Sequence, residues 1–119
     1  MKKTLVLGAS NNPTRYSFAA VRRLKQQGIE VVPLSNKKGE VEGIPILNGK
    51  PELENIHTVT LYLNPQRQEE YYDYIIGLKP ERIIFNPGTE NPILMKKARE
   101  AGIEPIVACN LVMLATGEF

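Results

Sequence analysis

The chain has 119 residues, 42% of them hydrophobic, and a formal net charge of +2. That length fits one domain over residues 1–119, with enough apolar side chains for a core. The small net charge does not favour a nucleic-acid partner, which usually meets a basic stripe. No apolar run approaches the roughly 20 residues of a membrane span, and the run at residues 5–7 is too short for a signal sequence. A single cysteine, Cys109, excludes an intrachain disulfide, so we expect a cytoplasmic protein.

The first third of the sequence predicts a strand, a loop, a helix and a second strand. Residues 4–8 form a short apolar run that ends in glycine, which is typical of a buried strand. Residues 9–14 are rich in turn-forming side chains. Residues 15–27 carry apolar side chains at helical spacing, and Gly28 is a natural stop for that helix. A second strand is predicted at residues 29–34, parallel to the first.

Strands and helices alternate along the rest of the chain. The predicted elements are a loop at 35–43, a short edge strand at 44–47, a helical turn at 51–55, strands at 58–63, 82–85 and 106–109, and helices at 65–78, 91–102 and 110–114. Such alternation is typical of a parallel sheet with helices on both faces. We therefore predict a single α/β domain with a doubly wound parallel sheet of about five strands.

The loop after the first strand is the strongest candidate for a ligand site, because doubly wound sheets bind ligands beyond the carboxyl ends of their strands. Gly8 allows a sharp turn and a close approach of the backbone to a ligand. Ser10, Asn11 and Asn12 supply hydrogen-bond donors. The helix that starts near Arg15 offers free N–H groups to an anion, and the guanidinium itself suits a phosphate. The alternative is an ordinary strand–helix turn with solvated polar residues.

The same loop does not match the usual dinucleotide fingerprint. That fingerprint requires G-x-G-x-x-G, and only Gly8 is present. The second strand is also not followed by the acidic residue that reads the ribose hydroxyls of NAD. Lys37 and Lys38 stand there instead, and lysines suit a phosphate on the ribose, as in NADP or coenzyme A (CoA). A solvated basic loop is the alternative interpretation of these lysines.

Three stretches of the chain resemble a known family. Residues 5–17, LVLGASNNPTRYS, resemble the opening V-x-G-A-S-x-N-P-x-R-x-S of the small CoA-binding domain proteins. The resemblance continues through residues 31–43, and residues 108–114 resemble a subgroup in which a cysteine precedes the closing helix. It implies a Rossmann-like fold, related to the N-terminal domain of the succinyl-CoA ligase alpha subunit, and binding of CoA. We expect no ligase activity, because the phosphorylated histidine of that enzyme lies in a second domain that this chain lacks.

The resemblance also implies a binding role for residues at four strand ends. These residues are Ser10, Asn12 and Arg15 facing the pyrophosphate, with Gly8, Ala9 and Asn11 in the same loop; Pro33 and Asn36 beside the adenosine; Lys37 or Lys38 near the ribose 3′-phosphate; Leu63, Asn64 and Pro65 on the next strand end; and Asn86, Pro87 and Gly88 along the pantetheine exit. Together they describe one ligand that crosses several strands.

No set of residues suggests catalysis or a metal site. The one histidine, His57, precedes a strand at the end opposite the predicted site, so we interpret it as a strand-edge residue. Glu90 is expected to stabilise the first turn of a helix rather than act as a base. Cys109 is interpreted as a buried thiol, although a thiol beside a helix N-terminus also suits a mixed disulfide with CoA. We therefore expect binding without an evident catalytic set.

Three functions remain open. The first is a stand-alone protein that binds CoA or acyl-CoA, with no nucleic acid or membrane partner. The second is an NADP-binding, oxidoreductase-like domain, which the short chain disfavours. The third is a domain that has lost ligand binding and serves as an interaction module for another protein. A homodimer is compatible with each.

Overall fold

The centre of the protein is a five-stranded parallel sheet, seen in a computed structural model that describes residues 2–119. The strands in chain order are β1 (Thr4–Leu7), β2 (Val31–Leu34), β3 (Glu40–Val41), β4 (Ile44–Pro45), β5 (Thr58–Leu61), β6 (Arg82–Phe85) and β7 (Glu104–Val107). The order across the main sheet is β2-β1-β5-β6-β7, while β3 and β4 form a separate antiparallel hairpin. The chain adds strands on one side of β1 and then on the other, which confirms the predicted doubly wound sheet.

Helices cover both faces of this sheet. They are α1 (Tyr16–Gln26), α2 (Pro65–Gln68), a 3₁₀ helix (Glu69–Tyr71), α3 (Tyr72–Gly77), α4 (Pro92–Glu100) and α5 (Asn110–Thr116). Because side chains alternate along a strand, Leu5 packs with Ile75 and Leu94 on one face, and Val6 packs with Val21 and Met113 on the other. The strands β1, β5 and β6 are buried along their whole length, as expected for a parallel sheet covered twice.

Two local predictions of helix were wrong. Residues 51–55 form no helix; side chains hold their carbonyls instead, as where the Tyr74 hydroxyl donates to the Pro51 oxygen at 2.6 Å. The helix predicted at 65–78 is broken by the 3₁₀ segment Glu69–Tyr71. Gln68 and Tyr71 are both buried there, and the tighter 3₁₀ turn aligns residues three apart.

Two further boundaries differ from prediction. The region 35–43 is not all loop, because β3 lies within it and Val41 is fully buried in the core. The last strand ends at Val107, where its pairing with Phe85 stops. Cys109 therefore does not close that strand but stands immediately before α5.

Candidate functional site

A cleft of about 320 Å³ lies where the strand order reverses, at the carboxyl ends of β1 and β5. Its walls come from the segments that follow β2, β1, β5 and β6, so residues far apart in sequence meet there. Doubly wound sheets bind their ligands at this position. The fold thus selects the cleft as the candidate site before any side chain is considered.

Gly8 brings the two central strand ends together. It has a φ of +100°, and a Cβ at this position would lie 2.9 Å from the carbonyl carbon of Tyr62. Its N–H donates to the Leu34 oxygen at 2.8 Å. The close approach that requires glycine is therefore to the backbone after β5, whereas the sequence suggested an approach to a ligand.

The cleft is cationic. Arg15, Lys37 and Arg67 line it, and no aspartate or glutamate does. Within residues 2–119 the side chains of these three cations make no hydrogen bond and no ion pair. The helix α1 also starts at this point, with no side-chain cap and no acidic residue in its first turn. The positive end of the helix therefore adds to the attraction for an anion.

Eight of the sixteen predicted binding residues line this cleft. They are Gly8, Ala9, Ser10, Arg15, Asn36, Lys37, Leu63 and Pro87. Between them they come from all four of the loops that the resemblance implied. The structure therefore brings together a coherent part of the predicted set.

The other eight predicted residues do not line the cleft. They are Asn11, whose Nδ2 would lie 2.7 Å from a Cβ on Gly39; Asn12, which accepts from the Thr14 N–H and hydroxyl; Pro33, buried within β2; Lys38, exposed; Asn64, which accepts from the Arg67 N–H and caps α2; Pro65, the first residue of α2; Asn86, which is buried; and Gly88, whose N–H donates to Glu90 Oε1.

Asn86 forms a link beneath the cleft. Its Nδ2 donates to Thr60 Oγ1 at 2.7 Å and to the Leu61 oxygen at 2.9 Å. Its Oδ1 accepts from the Asn110 N–H at 2.8 Å. The side chain thereby fixes the ends of β5 and β6 and the start of α5 relative to one another.

Gln68 has a similar role on the other face of the sheet. Its buried Nε2 donates to the oxygens of Leu63 and Thr89, both at 2.8 Å, and its Oε1 accepts from Asn91. Leu63 and Thr89 both line the cleft. The buried amide therefore holds two walls of the cleft at a fixed separation.

Six residues of the cleft are not among the predicted binding residues, although Ser35, Arg67 and Thr89 lie in loops that follow predicted strands. The six are Tyr16, Ser17, Ser35, Tyr62, Arg67 and Thr89. Arg67 follows a strand end in a polar loop, and that position was a usable signal. Tyr62 offered none, because it lies inside the run of residues predicted as strand.

The buried side-chain atoms that lack a hydrogen bond of good geometry within residues 2–119 are the phenol oxygen of Tyr62 and both amide atoms of Asn110. Burial raises the pKa of the Tyr62 phenol well above its usual range. Nearby Cys109 raises this pKa further, while the Thr60 side chain lowers it. The phenol is therefore a hydrogen-bond donor at neutral pH.

The residues considered for chemistry are dispersed. His57 lies at the amino end of β5, where it pairs with Glu81 at 2.6 Å, and burial lowers its pKa. Glu90 accepts from the Gly88 N–H and precedes Asn91, which caps α4; the expectation that Glu90 lies in the first helical turn was wrong. Cys109 is partly exposed. Across residues 2–119 no three His, Cys, Asp or Glu side chains are grouped to hold a metal, and no helix there is long and apolar enough to cross a bilayer.

Comparison with known proteins identifies the family. The sequence profile of the CoA binding domain matches residues 2–115. This confirms the resemblance found in the sequence. No curated protein matches the chain.

Solved structures with the same fold cover nearly the whole chain. A crystal structure of an uncharacterized protein is 54% identical, with a TM-score of 0.98, over 100% of this chain and 98% of that one. A hypothetical protein from Pyrococcus horikoshii OT3 is 27% identical, with a TM-score of 0.88, over 97% and 82%. A dinucleotide-forming acetyl-coenzyme A synthetase from Ca. Korarchaeum cryptofilum, in complex with phosphate and ADP, is 16% identical, with a TM-score of 0.71, over 92% and 26%. The last shows a shared fold alone.

Proposed function

The chain belongs to the CoA binding domain family, and from this premise we propose that it binds CoA or an acyl-CoA in the cleft at the carboxyl ends of β1 and β5. The observation that carries the proposal is the charge of the cleft. Three cations that have no partner among residues 2–119, together with the open start of α1, face one space, and no carboxylate of the described chain lines it. CoA carries three phosphate groups, which need such an environment.

The order of the cations across the sheet suggests how the ligand lies. Lys37 follows β2, Arg15 follows β1, and Arg67 follows β5. In our proposal Arg15 and the start of α1 hold the pyrophosphate, and Lys37 holds the ribose 3′-phosphate. Asn36 then lies beside the adenosine, while Leu63 and Pro87 border the pantetheine arm. Arg67 adds a second cation for the pyrophosphate.

We propose a binding protein with no evident set of catalytic residues. Its role is that of a carrier or a regulator. The family match supports CoA over NADP as the ligand.

Thermal denaturation with added nucleotides tests the proposal. A ligand that binds the native state alone stabilises it, by about 2.7 kcal/mol at a hundredfold excess over its Kd. We expect CoA to raise the melting temperature more than NADP, NAD or ATP. A shift with NADP alone favours an NADP-binding domain, and no shift with any of the four favours an interaction module; either result contradicts the proposal.

A further inference from the structure

The two edges of the main sheet differ in how they are covered. At β2, the N–H of Leu47 donates to the Pro33 oxygen and the N–H of Ser35 donates to the Leu47 oxygen, so the segment after the β3–β4 hairpin covers this edge. At the opposite edge, β7 pairs with β6 and with no other strand of residues 2–119. The protein therefore covers one edge of its sheet and leaves the edge at β7 open.

The open edge presents backbone groups that have no partner. The N–H groups of Glu104 and Ala108 donate to the segment that contains β6. Since the backbone groups of successive strand residues point to opposite sides, those of Pro105, Val107 and Cys109 point away from β6. Within residues 2–119, the N–H groups of Val107 and Cys109 and the oxygens of Pro105 and Val107 make no hydrogen bond.

The side chains at this edge do little to prevent another strand from pairing with it. Proteins usually protect an edge strand with charged side chains, prolines or bulges. No charged residue occurs from Pro105 to Gly117, and Val107, in the middle of the open segment, is 61% exposed. Pro105 removes one N–H from the edge and leaves its oxygen free. The edge is therefore suited to an added strand.

A second copy of this chain satisfies these groups in one arrangement. If two β7 strands run antiparallel about Val107, this residue exchanges two hydrogen bonds with the partner's Val107. Each Cys109 N–H then donates to the oxygen of the partner's Pro105. The donor that proline lacks faces the Cys109 oxygen, which already accepts from the Met113 N–H. Every outward backbone group is thus used, and no like charges meet in the uncharged segment.

We propose that the open edge of β7 is a homodimer interface, where two copies of the chain join their sheets antiparallel about Val107. The contact is isologous, as in most symmetric dimers. Val107 packs against the partner's Val107, and Ile106 packs against the partner's Ala108, which are favourable cross-strand pairs of apolar side chains. The cleft has no lining residue from β7, so the dimer leaves the candidate ligand site open in both copies.

Sedimentation velocity over a concentration series tests this interface. An edge-to-edge contact is small, so we expect the mass to rise with concentration from that of one chain towards that of two. Val107→Lys should raise the dimer Kd more than tenfold, because it places two like charges opposite each other. Gln26→Lys is the control. It adds the same charge at an exposed position at the end of α1, and it should dimerise as the unchanged protein does.

Two further measurements show that the variant is folded and that the strands pair. Val107 is exposed, so Val107→Lys at low concentration should melt at the same temperature as the unchanged monomer. Amide hydrogen exchange should be slow for the N–H groups of Val107 and Cys109 in the dimer. In the unchanged monomer the same two amides should exchange rapidly.

A protein that stays monomeric at every concentration would overturn the inference, and it would leave the edge to a strand of another protein or to no partner. The inference also fails if Val107→Lys dimerises as tightly as the unchanged protein. Rapid exchange of the Val107 amide in the dimer would place the contact elsewhere, with the same consequence. None of these results bears on CoA binding, which depends on the residues of the cleft.

Discussion

Charged side chains at the two ends of the parallel sheet differ in whether they have hydrogen-bond partners within the protein. At the amino end, Arg82 is buried and donates to Thr58 Oγ1 at 2.8 Å and to the Phe119 oxygen at 2.7 Å. At the carboxyl end, Arg15 and Lys37 make no side-chain hydrogen bond or ion pair with any residue from 2 to 119. A cation with partners inside the chain stabilises the fold, whereas a cation without them is available to a ligand.

This contrast separates two kinds of mutational effect. Changes at the amino end should alter stability and leave ligand affinity alone. Changes to the cations at the carboxyl end should alter affinity and leave stability alone. Changes at Gly8, where the two central strand ends meet, should alter both.

The largest effect is expected for Arg82→Met. The substitution leaves the Phe119 oxygen and the Thr58 hydroxyl without this donor and removes a cation 4.5 Å from the centre of the Phe119 ring. We expect a loss of about 3 kcal/mol in the free energy of unfolding, measured by chemical denaturation. The affinity for CoA should stay within about twofold; a large fall in affinity without a loss of stability would contradict the contrast.

Gly8→Ala comes next. An alanine Cβ would lie 2.9 Å from the Tyr62 carbonyl carbon at a φ of +100°, so we expect a loss of about 2 kcal/mol in stability together with weaker CoA binding. Gly28→Ala is the control, because its φ is +74° but nothing lies within 4 Å of an added Cβ. Gly28→Ala should lower the free energy of unfolding by about 1 kcal/mol and leave the affinity for CoA unchanged. Equal effects of the two substitutions on CoA affinity would show that the approach of Gly8 to Tyr62 does not shape the site.

Arg15→Ala should weaken CoA binding roughly tenfold, about 1.4 kcal/mol, because it removes a charge-assisted hydrogen bond to phosphate. The melting temperature of the free protein should not change, since this side chain has no partner within residues 2–119. Arg23→Ala, in the last turn of the same helix, removes an equal charge away from the cleft. If the two variants bind CoA equally well in calorimetric titration, Arg15 has no phosphate role.

The smallest effect is a pH dependence at Tyr62. Burial raises the pKa of this phenol in the folded state, so above pH of about 10 the unfolded chain loses its proton first. The contribution of the Tyr62 phenol to the free energy of unfolding is therefore complete below about pH 10, and it is lost as the pH rises further. We expect Tyr62→Phe to lose less stability than the unchanged protein between about pH 9 and 11, measured by urea denaturation. Parallel pH profiles for the two proteins would contradict the burial of the phenol.

Much of the fold could be predicted from the sequence, because the central strands are easy to recognise as short apolar runs. The runs at β1, β5 and β6 are short and nearly continuous in apolar or β-branched residues, and helices separate them. The helix break after Gln68 was not predictable, because it depends on two side chains that face the core together. The β3–β4 hairpin depends on Val41, one buried residue in a polar stretch.

The residues of the candidate site were predictable where their position in the fold alone brings them to the cleft. Arg15 and Lys37 follow strand ends at the point where the sheet order reverses, so topology brings them together. The direction of an asparagine side chain is different, because Asn64 caps a helix and Asn86 turns inward to bind backbone and hydroxyl groups. An amide at a strand end serves a ligand or the fold equally well, and the sequence does not distinguish the two uses.

The most direct test of the account compares CoA with dephospho-CoA, which lacks only the 3′-phosphate, in calorimetric titrations of the unchanged protein and Lys37→Ala. Lys37 lines the cleft beyond β2, so we predict that the unchanged protein binds CoA about tenfold more tightly than dephospho-CoA. Lys37→Ala should bind the two ligands equally. Equal affinity for both ligands in the unchanged protein, or no binding of CoA, would contradict the claim that this cationic cleft holds CoA.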